Sequence, residues 1–390
     1  MNNHVITRTN SGFTIVELLV VIVVIGILAA ITIISYTGIT GRAVTSSLQA
    51  DLTSASQQLK LFQVDNSTFP ITLNCSIPDS PTNKCVKSSS GTVYQYAADN
   101  NASPQTFSLY ATKNNVKYRV TNDSKPTLTT SVAATGGTVS DINGYRTHTF
   151  TTSGTFTITS GGYVEVLVVA GGGAGGSNNV SSTGTASGGG GAGGLIYNQG
   201  YDVTPQSIAV TVGGGGLIAD TTGQNSIFGS LTALGGGRGA CKTCSAVSGG
   251  SGGGGSYYYH PFGSGTLGQG HDGGSNTATY YGGSGGGGAG SVGQSSLSTS
   301  GASGGDGLYY GYIFGDIFGQ NGYFAGGGGG GAGGGGATGT GGNGGGGAGG
   351  SSTNGNDAVA NTGGGGGGSS LSLYIGGAGG SGIVIVRYPL

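Results

Sequence analysis

Glu17 is a carboxylate set in an apolar run: among the 22 residues from Phe13 to Ile34 only Thr14 and Thr32 are otherwise polar. An ionised side chain in so apolar a helix is costly unless it is paired, so the position points to charge pairing. The four cysteines fall in two couples, Cys75 with Cys85 and Cys241 with Cys244. In an exported chain an even count favours disulfides. The first couple would close a loop of about ten residues, worth roughly 3 kcal/mol in the chain-entropy picture. Cys241-Lys242-Thr243-Cys244 admits three readings: a local disulfide pinning a loop, a redox pair, and a zinc site completed by His260 and His271. No βαβ pattern surrounds it to support redox work. Two histidines eleven positions apart do not fit the usual finger spacing. The local disulfide is the favoured reading.

Residues 257–324 hold 13 of the chain's 31 aromatic residues. Tyr257, Tyr258, Tyr259, Tyr309, Tyr310 and Tyr312 stand among them, between glycine runs. Tyrosine offers a large amphipathic contact area for few torsions, and Ser, Gly and Asn supply adaptable hydrogen bonds, the mixture that binding loops use. The alternative is that these rings fill the core of a region otherwise poor in large side chains. Neighbours such as Tyr257 and Tyr258, or Tyr309 and Tyr310, cannot both face inward on a strand, so some rings are expected at the surface.

Composition removes other classes. Charged residues make up 7% of the chain and the net charge is −1, without the clustered Lys and Arg that nucleic-acid binding needs. Gly282-Gly283-Ser284-Gly285-Gly286 meets the nucleophile-elbow pattern by composition alone. Matches to GxGxxG are equally cheap here, and no Gly-Lys pair exists for a phosphate loop. Gly355-Asn356-Asp357 resembles one turn of a calcium-binding β-helix but occurs once, and such repeats must recur to stack. Nothing places Ser, His and Asp on a recognisable scaffold, so no enzyme, metal or cofactor is expected.

The elements that must position these residues divide sharply. Only five of the 93 glycines lie before residue 136. The first 135 residues read as a helix and a small head, the remaining 255 as a nearly uncharged glycine-rich region. Phe13–Ile34 would make roughly 33 Å of helix, enough to cross a bilayer core. Its short polar flank carries Arg8 and His4, which keeps the amino end in the cytoplasm. Leu48, Leu52, Ala55, Leu59 and Phe62 recur at spacings of four and three and predict one buried face of an amphipathic helix. Gly38 and Gly41 should loosen the join between the two halves, and the helix should stop near Asp65-Asn66, ahead of Pro70. Thr92–Tyr96, Phe107–Ala111 and Val116–Val120 predict a three-stranded antiparallel sheet laid on that helix.

Ser11-Gly12-Phe13-Thr14-Ile15-Val16-Glu17-Leu18-Leu19 resembles the prepilin recognition site of type IV pilins and pseudopilins. The resemblance implies cleavage by prepilin peptidase after Gly12, N-methylation of Phe13, and a role for Glu17 in meeting the amino group of a neighbouring subunit. It implies other pilin subunits and the cytoplasmic membrane as partners. Asp65-Asn66-Ser67-Thr68-Phe69-Pro70 is similar to the turn that ends this helix in many pseudopilins, with Ser67 where Gly is usual.

In the second half Tyr163–Ala170, Ser207–Val212 and Ile383–Tyr388 read as strong strands, and His148–Phe150 and Thr155–Ile158 alternate at the strand period. Between them lie runs such as 171–176, 188–194, 326–336 and 363–368. Such runs are either flexible linkers or ordered strands that need Gly for close backbone approach. Without a strict glycine at every third position they are not collagen, and packed polyglycine II strands are the favoured reading. Tyr163–Gly176, Phe228-Gly229-Ser230 with Gly235-Gly236-Gly237, and Gly380–Tyr388 resemble a glycine-rich domain of phage tail-fibre tips and bacterial surface proteins.

The expected fold is therefore α+β: a long amino-terminal pilin helix with a small antiparallel sheet, then a glycine-rich all-β domain with polyglycine II-like segments. The expected divisions are a leader at 1–12, a spanning and assembly helix at 13–35, its amphipathic continuation at 36–70, a head at 71–135 and the glycine-rich extracellular domain at 136–390. The expected function is a minor pilin-like surface protein displaying an adhesive domain that meets a glycan or protein receptor. A pseudopilin of a secretion or DNA-uptake machine and a non-polymerising surface anchor are the alternatives.

Overall fold

A computed structural model of the chain describes residues 15–129, 131–177, 185–217, 221–257, 261–276, 281–370 and 374–390, without the side chains of 16–18 and 27–39. Helix α1 (Ile15–Asn66) is one unbroken element. It runs unbroken through Gly38 and Gly41, where each glycine costs about 1 kcal/mol in a helix. The spaced apolar stripe is its inner face: Leu48, Leu52 and Leu59 have no exposed surface, and Ala55 and Phe62 are buried.

That face lies on an antiparallel sheet of β1 (Val93–Asp99), β2 (Thr106–Lys113), β3 (Val116–Thr121) and β4 (Thr127–Thr129), in that order. Leu109, Ala111, Tyr118 and Val120 join Leu48, Leu52 and Leu59 in one cluster. The fourth strand was not expected; it is three residues long and follows Pro126, too short for an alternating pattern to reveal.

A two-sheet sandwich follows. Its strands are β5 (Ala133–Thr135), β6 (Thr138–Ile142), β7 (Tyr145–Phe150), β8 (Gly154–Ser160), β9 (Gly162–Val169), β10 (Leu195–Val203), β11 (Gln206–Thr211), β12 (Ser226–Phe228) and β13 (Leu231–Ala233). A small hairpin of β14 (Leu308–Tyr309) and β15 (Tyr323–Phe324) encloses the short helix α2 (Gly311–Phe314), and β16 (Ile383–Pro389) completes the set. One sheet has the order β10-β9-β16-β7-β6 and the other β13-β12-β11-β8-β5. Val164, Val166, Val168, Val384 and Val386 from the first meet Phe156, Ile158, Val210 and Phe228 from the second in a dry core. Ala133–Thr135, on the amino side of the glycine step, pairs with β8 of this sandwich.

Beyond the sandwich the glycine runs bond to one another instead of forming sheets. In the run 187–194, Gly188, Gly191 and Gly194 donate N–H bonds to Ala240, Gly237 and Leu234 of one neighbour. Gly189 and Ala192 donate to Ser284 and Gly287 of a second, and Gly190 and Gly193 to Gly366 and Gly363 of a third. Its carbonyls accept from three further runs, through Gly173 and Gly176, Ser251 and Gly254, and Gly328 and Gly331, at 2.8–3.0 Å. One run thus has six neighbours, with the partner changing at each residue and returning every third. A Cβ on Gly190 would overlap the carbonyl oxygen of Gly173; the backbones approach this closely only because side chains are absent.

Candidate functional site

Two regions gather the residues singled out in the sequence, and a third is one the sequence did not disclose. The first is the amino end of α1. Gly12 and Phe13 lie outside the described residues, as does the side chain of Glu17, whose backbone is helical. Every side chain from Leu19 to Ile25 is exposed, at 47–59% of its surface. The same helix that buries its stripe at 48–62 thus leaves this apolar stretch uncovered by the other described residues. Among the described residues, no helix is long and apolar enough to cross a membrane. The expected span begins at Phe13 and runs through residues whose side chains are not described.

Both cysteine couples are disulfides, Cys75–Cys85 and Cys241–Cys244. The second sits beside Ser256, whose hydroxyl donates to the Cys241 carbonyl at 2.9 Å. Among the described residues no group of three or more His, Cys, Asp or Glu is gathered to hold a metal ion. His260 lies outside them.

The tyrosines separate. Tyr258 and Tyr259 are outside the described residues. Tyr257 is half-buried and its ring stacks on the exposed Tyr281, with centroids 4.5 Å apart. Tyr310 is core: it is 2% exposed and packs in one cluster with Phe314, Phe324 and Leu167. Tyr309 and Tyr312 are half-buried beside it. Residues 309–312 lie against the head, where Asn101 Nδ2 donates to the Tyr309 carbonyl at 3.4 Å.

The third region is the joint between head and sandwich. Strand β2 is buried from Phe107 to Ala111 and β3 from Lys117 to Val120, so both faces of the head sheet are covered. One face carries the α1 core; the other presents Tyr110, Lys117 and Arg119 to the second unit. Arg119 Nη2 donates to the Gln199 carbonyl at 2.9 Å, and its guanidinium lies 4.7 Å from the Tyr163 ring centroid. Lys117 Nζ donates to the Pro389 carbonyl at 3.3 Å, and burial lowers its pKa from the ordinary value. Behind them Glu165 Oε2 accepts from Arg387 Nη2 and Nε and from the Tyr197 hydroxyl at 2.6 Å. Burial, reinforced by the Glu165 charge, raises the Tyr197 pKa well above the usual phenol range. Arg387 also donates to the Ile313 carbonyl, and its guanidinium lies 4.0 Å from the Tyr145 ring centroid. In sequence only one signal of this joint is visible: a Glu and an Arg placed at core positions of the two strongest strands.

Among the described residues these contacts tie the head to the sandwich. Residues 7–33 match the family described as prokaryotic N-terminal methylation motif, and residues 149–389 match the family described as glycine-rich domain. Over 65 residues the chain is 34% identical to the type II secretion system core protein G of Dickeya chrysanthemi, which covers 17% of this chain and 42% of that protein. The corresponding protein of Aeromonas hydrophila is also 34% identical over 65 residues, 46% of its length. The chain spans less than half the length of these curated relatives.

Proposed function

Because the chain belongs to the glycine-rich domain family and opens with the prokaryotic N-terminal methylation motif, we propose that it is a minor pilin-like surface protein. In this reading prepilin peptidase cuts after Gly12, Phe13 becomes the methylated terminus, and Glu17 pairs with the amino group of a neighbouring subunit. The apolar helix rests in the cytoplasmic membrane with its amino end inside until the subunit joins a filament. The glycine-rich domain is then displayed outside, its runs packed as polyglycine II strands, where the period-three change of hydrogen-bond partner supports that description. Tyr257 and its neighbours at the ends of the runs meet a glycan or protein surface.

The observation that carries the reading is the contrast along α1, buried at Leu48–Phe62 and uncovered at Leu19–Ile25. An uncovered apolar helix requires lipid or other helices around it. Immunogold labelling of filaments tests the proposal: tip-confined signal is expected, and signal on cell bodies alone overturns it. Mass spectrometry should find a mature chain beginning at methylated Phe13, with cleavage blocked in Gly12→Val; an intact leader in a peptidase-competent host refutes the processing step. Similarity to the secretion-system core protein G favours one second reading, a pseudopilin working within a secretion machine.

A further inference from the structure

Each residue of the interior run 187–194 finds a neighbouring run for its N–H, but at the rim the runs end and solvent begins. There a single two-residue device recurs. Gly355 N–H takes the carbonyl of Ile375 at 2.9 Å, and the side chain just before it, Asn354 Oδ1, accepts the N–H of the same Ile375 at 3.0 Å. Three residues on, Ala358 N–H takes the Ala378 carbonyl and Asp357 Oδ1 accepts the Ala378 N–H at 2.7 Å. Gly301 and Ser300 treat Ala337 the same way, Gly307 and Asp306 treat Asn343, and Gly249 and Ser248 treat Ser264. The clipped residues are outer ones: Ser264, Ala337 and Asn343 are exposed, and Ile375 and Ala378 half-buried. The clipping side chains Ser248, Asp306, Asn354 and Asp357 are exposed as well.

In an all-glycine lattice that N–H would point at the site of the next run, as an edge strand offers its unpaired groups to another chain. The neighbouring N–H groups of the same run, Gly377 and Gly380, bond to runs of the lattice itself. We propose that these Ser, Asn and Asp clips close the rim of the lattice against a glycine run from a second copy of this chain. They keep the domain a finite single-chain unit when many copies are brought side by side.

The test is the full chain in detergent carrying Asn354→Gly with Asp357→Gly, compared with wild type by sedimentation and by hydrogen exchange over 374–382. The variant is expected to associate with rising concentration where wild type does not. On dilution its exchange at Ile375 and Ala378 should speed roughly tenfold, as for loss of one hydrogen bond, and slow again as copies associate. Asp357→Asn keeps the acceptor and should behave as wild type. A folded glycine variant whose sedimentation superimposes on wild type overturns the proposal. Should that variant not fold, Ser300→Gly with Asp306→Gly at another part of the rim is judged by the same criteria. Loss of the lattice's exchange protection in both variants, at every concentration, also overturns it, since the clips would then hold the chain's own runs together instead of excluding another's.

Discussion

Glu165 and Arg387 are 222 positions apart in sequence and form a buried pair at 2.8 Å, their side chains 1% and 4% exposed. The pair lies on adjacent strands, Arg387 directly opposite Glu165 in the β16–β9 register. Tyr197 donates to the same Glu165 oxygen and Arg387 donates to the Ile313 carbonyl, while Glu165 Oε1 is buried without a hydrogen-bond partner; the pair thus links the sandwich to the α2 segment.

Removing one partner should cost far more than removing both. Glu165→Ala strands the Arg387 charge and is expected to destabilise by about 3–5 kcal/mol. Glu165→Leu combined with Arg387→Met should recover most of that loss. Denaturant unfolding of the three proteins checks the order; equal losses for the single and double variants refute it.

Ser67 ends α1 with φ +61°, the left-handed conformation that favours glycine. Ser67→Gly should therefore stabilise by up to about 1 kcal/mol through relief of backbone strain. A thermal midpoint below that of wild type argues against this account of the turn.

Glycine to alanine should change sign with place. Gly190→Ala forces a Cβ onto the Gly173 carbonyl and should cost at least about 1–3 kcal/mol through overpacking. Gly41→Ala, in a helix with nothing within 4 Å of the added carbon, should gain up to about 1 kcal/mol. Melting curves of the two variants separate the cases, and similar shifts in both deny the lattice its close approach.

His148 is fully buried, with Nδ1 2.8 Å from the Gly136 carbonyl and Nε2 3.0 Å from the Tyr388 hydroxyl. Burial lowers its pKa from the ordinary value near 6.5. The unfolded chain then binds the proton more readily than the folded one, so stability is complete above about pH 6.5 and falls as pH drops below it. His148→Gln should flatten stability between pH 7.5 and 5.5. An unchanged slope in that variant assigns the loss to another group.

The α1 stripe was legible because one helix repeats one face, and every member from Leu48 to Phe62 is buried. The long strands at 162–169, 206–211 and 383–389 were legible from β-branched runs. Legibility failed where chemistry depends on partners far apart in sequence. Nothing local tells Arg387 that it faces Glu165. For Tyr310 the sequence left a recognition ring and a core ring both open; it is buried, and its destination is set by the sheet it lands on. A run of identical glycines carries no register of its own, so the six neighbours of 187–194 could not be named. The rim was partly readable: a Ser, Asn or Asp directly before a Gly or Ala marks each clip.

Strand β16 lies between β9 and β7, bonded antiparallel to both. More than two hundred residues separate it from these partners. Synthesis runs from the amino end, so β7 and β9 emerge long before the strand that must sit between them. Until Ile383–Pro389 arrives, the first sheet is split down its middle and Val164, Val166 and Val168 lack the facing rows of Val384 and Val386. Pairings of such sequence separation form slowly because a long loop must close first. The domain is thus timed by its order of synthesis: its first sheet stays open along its middle until the last strand of the chain has been made.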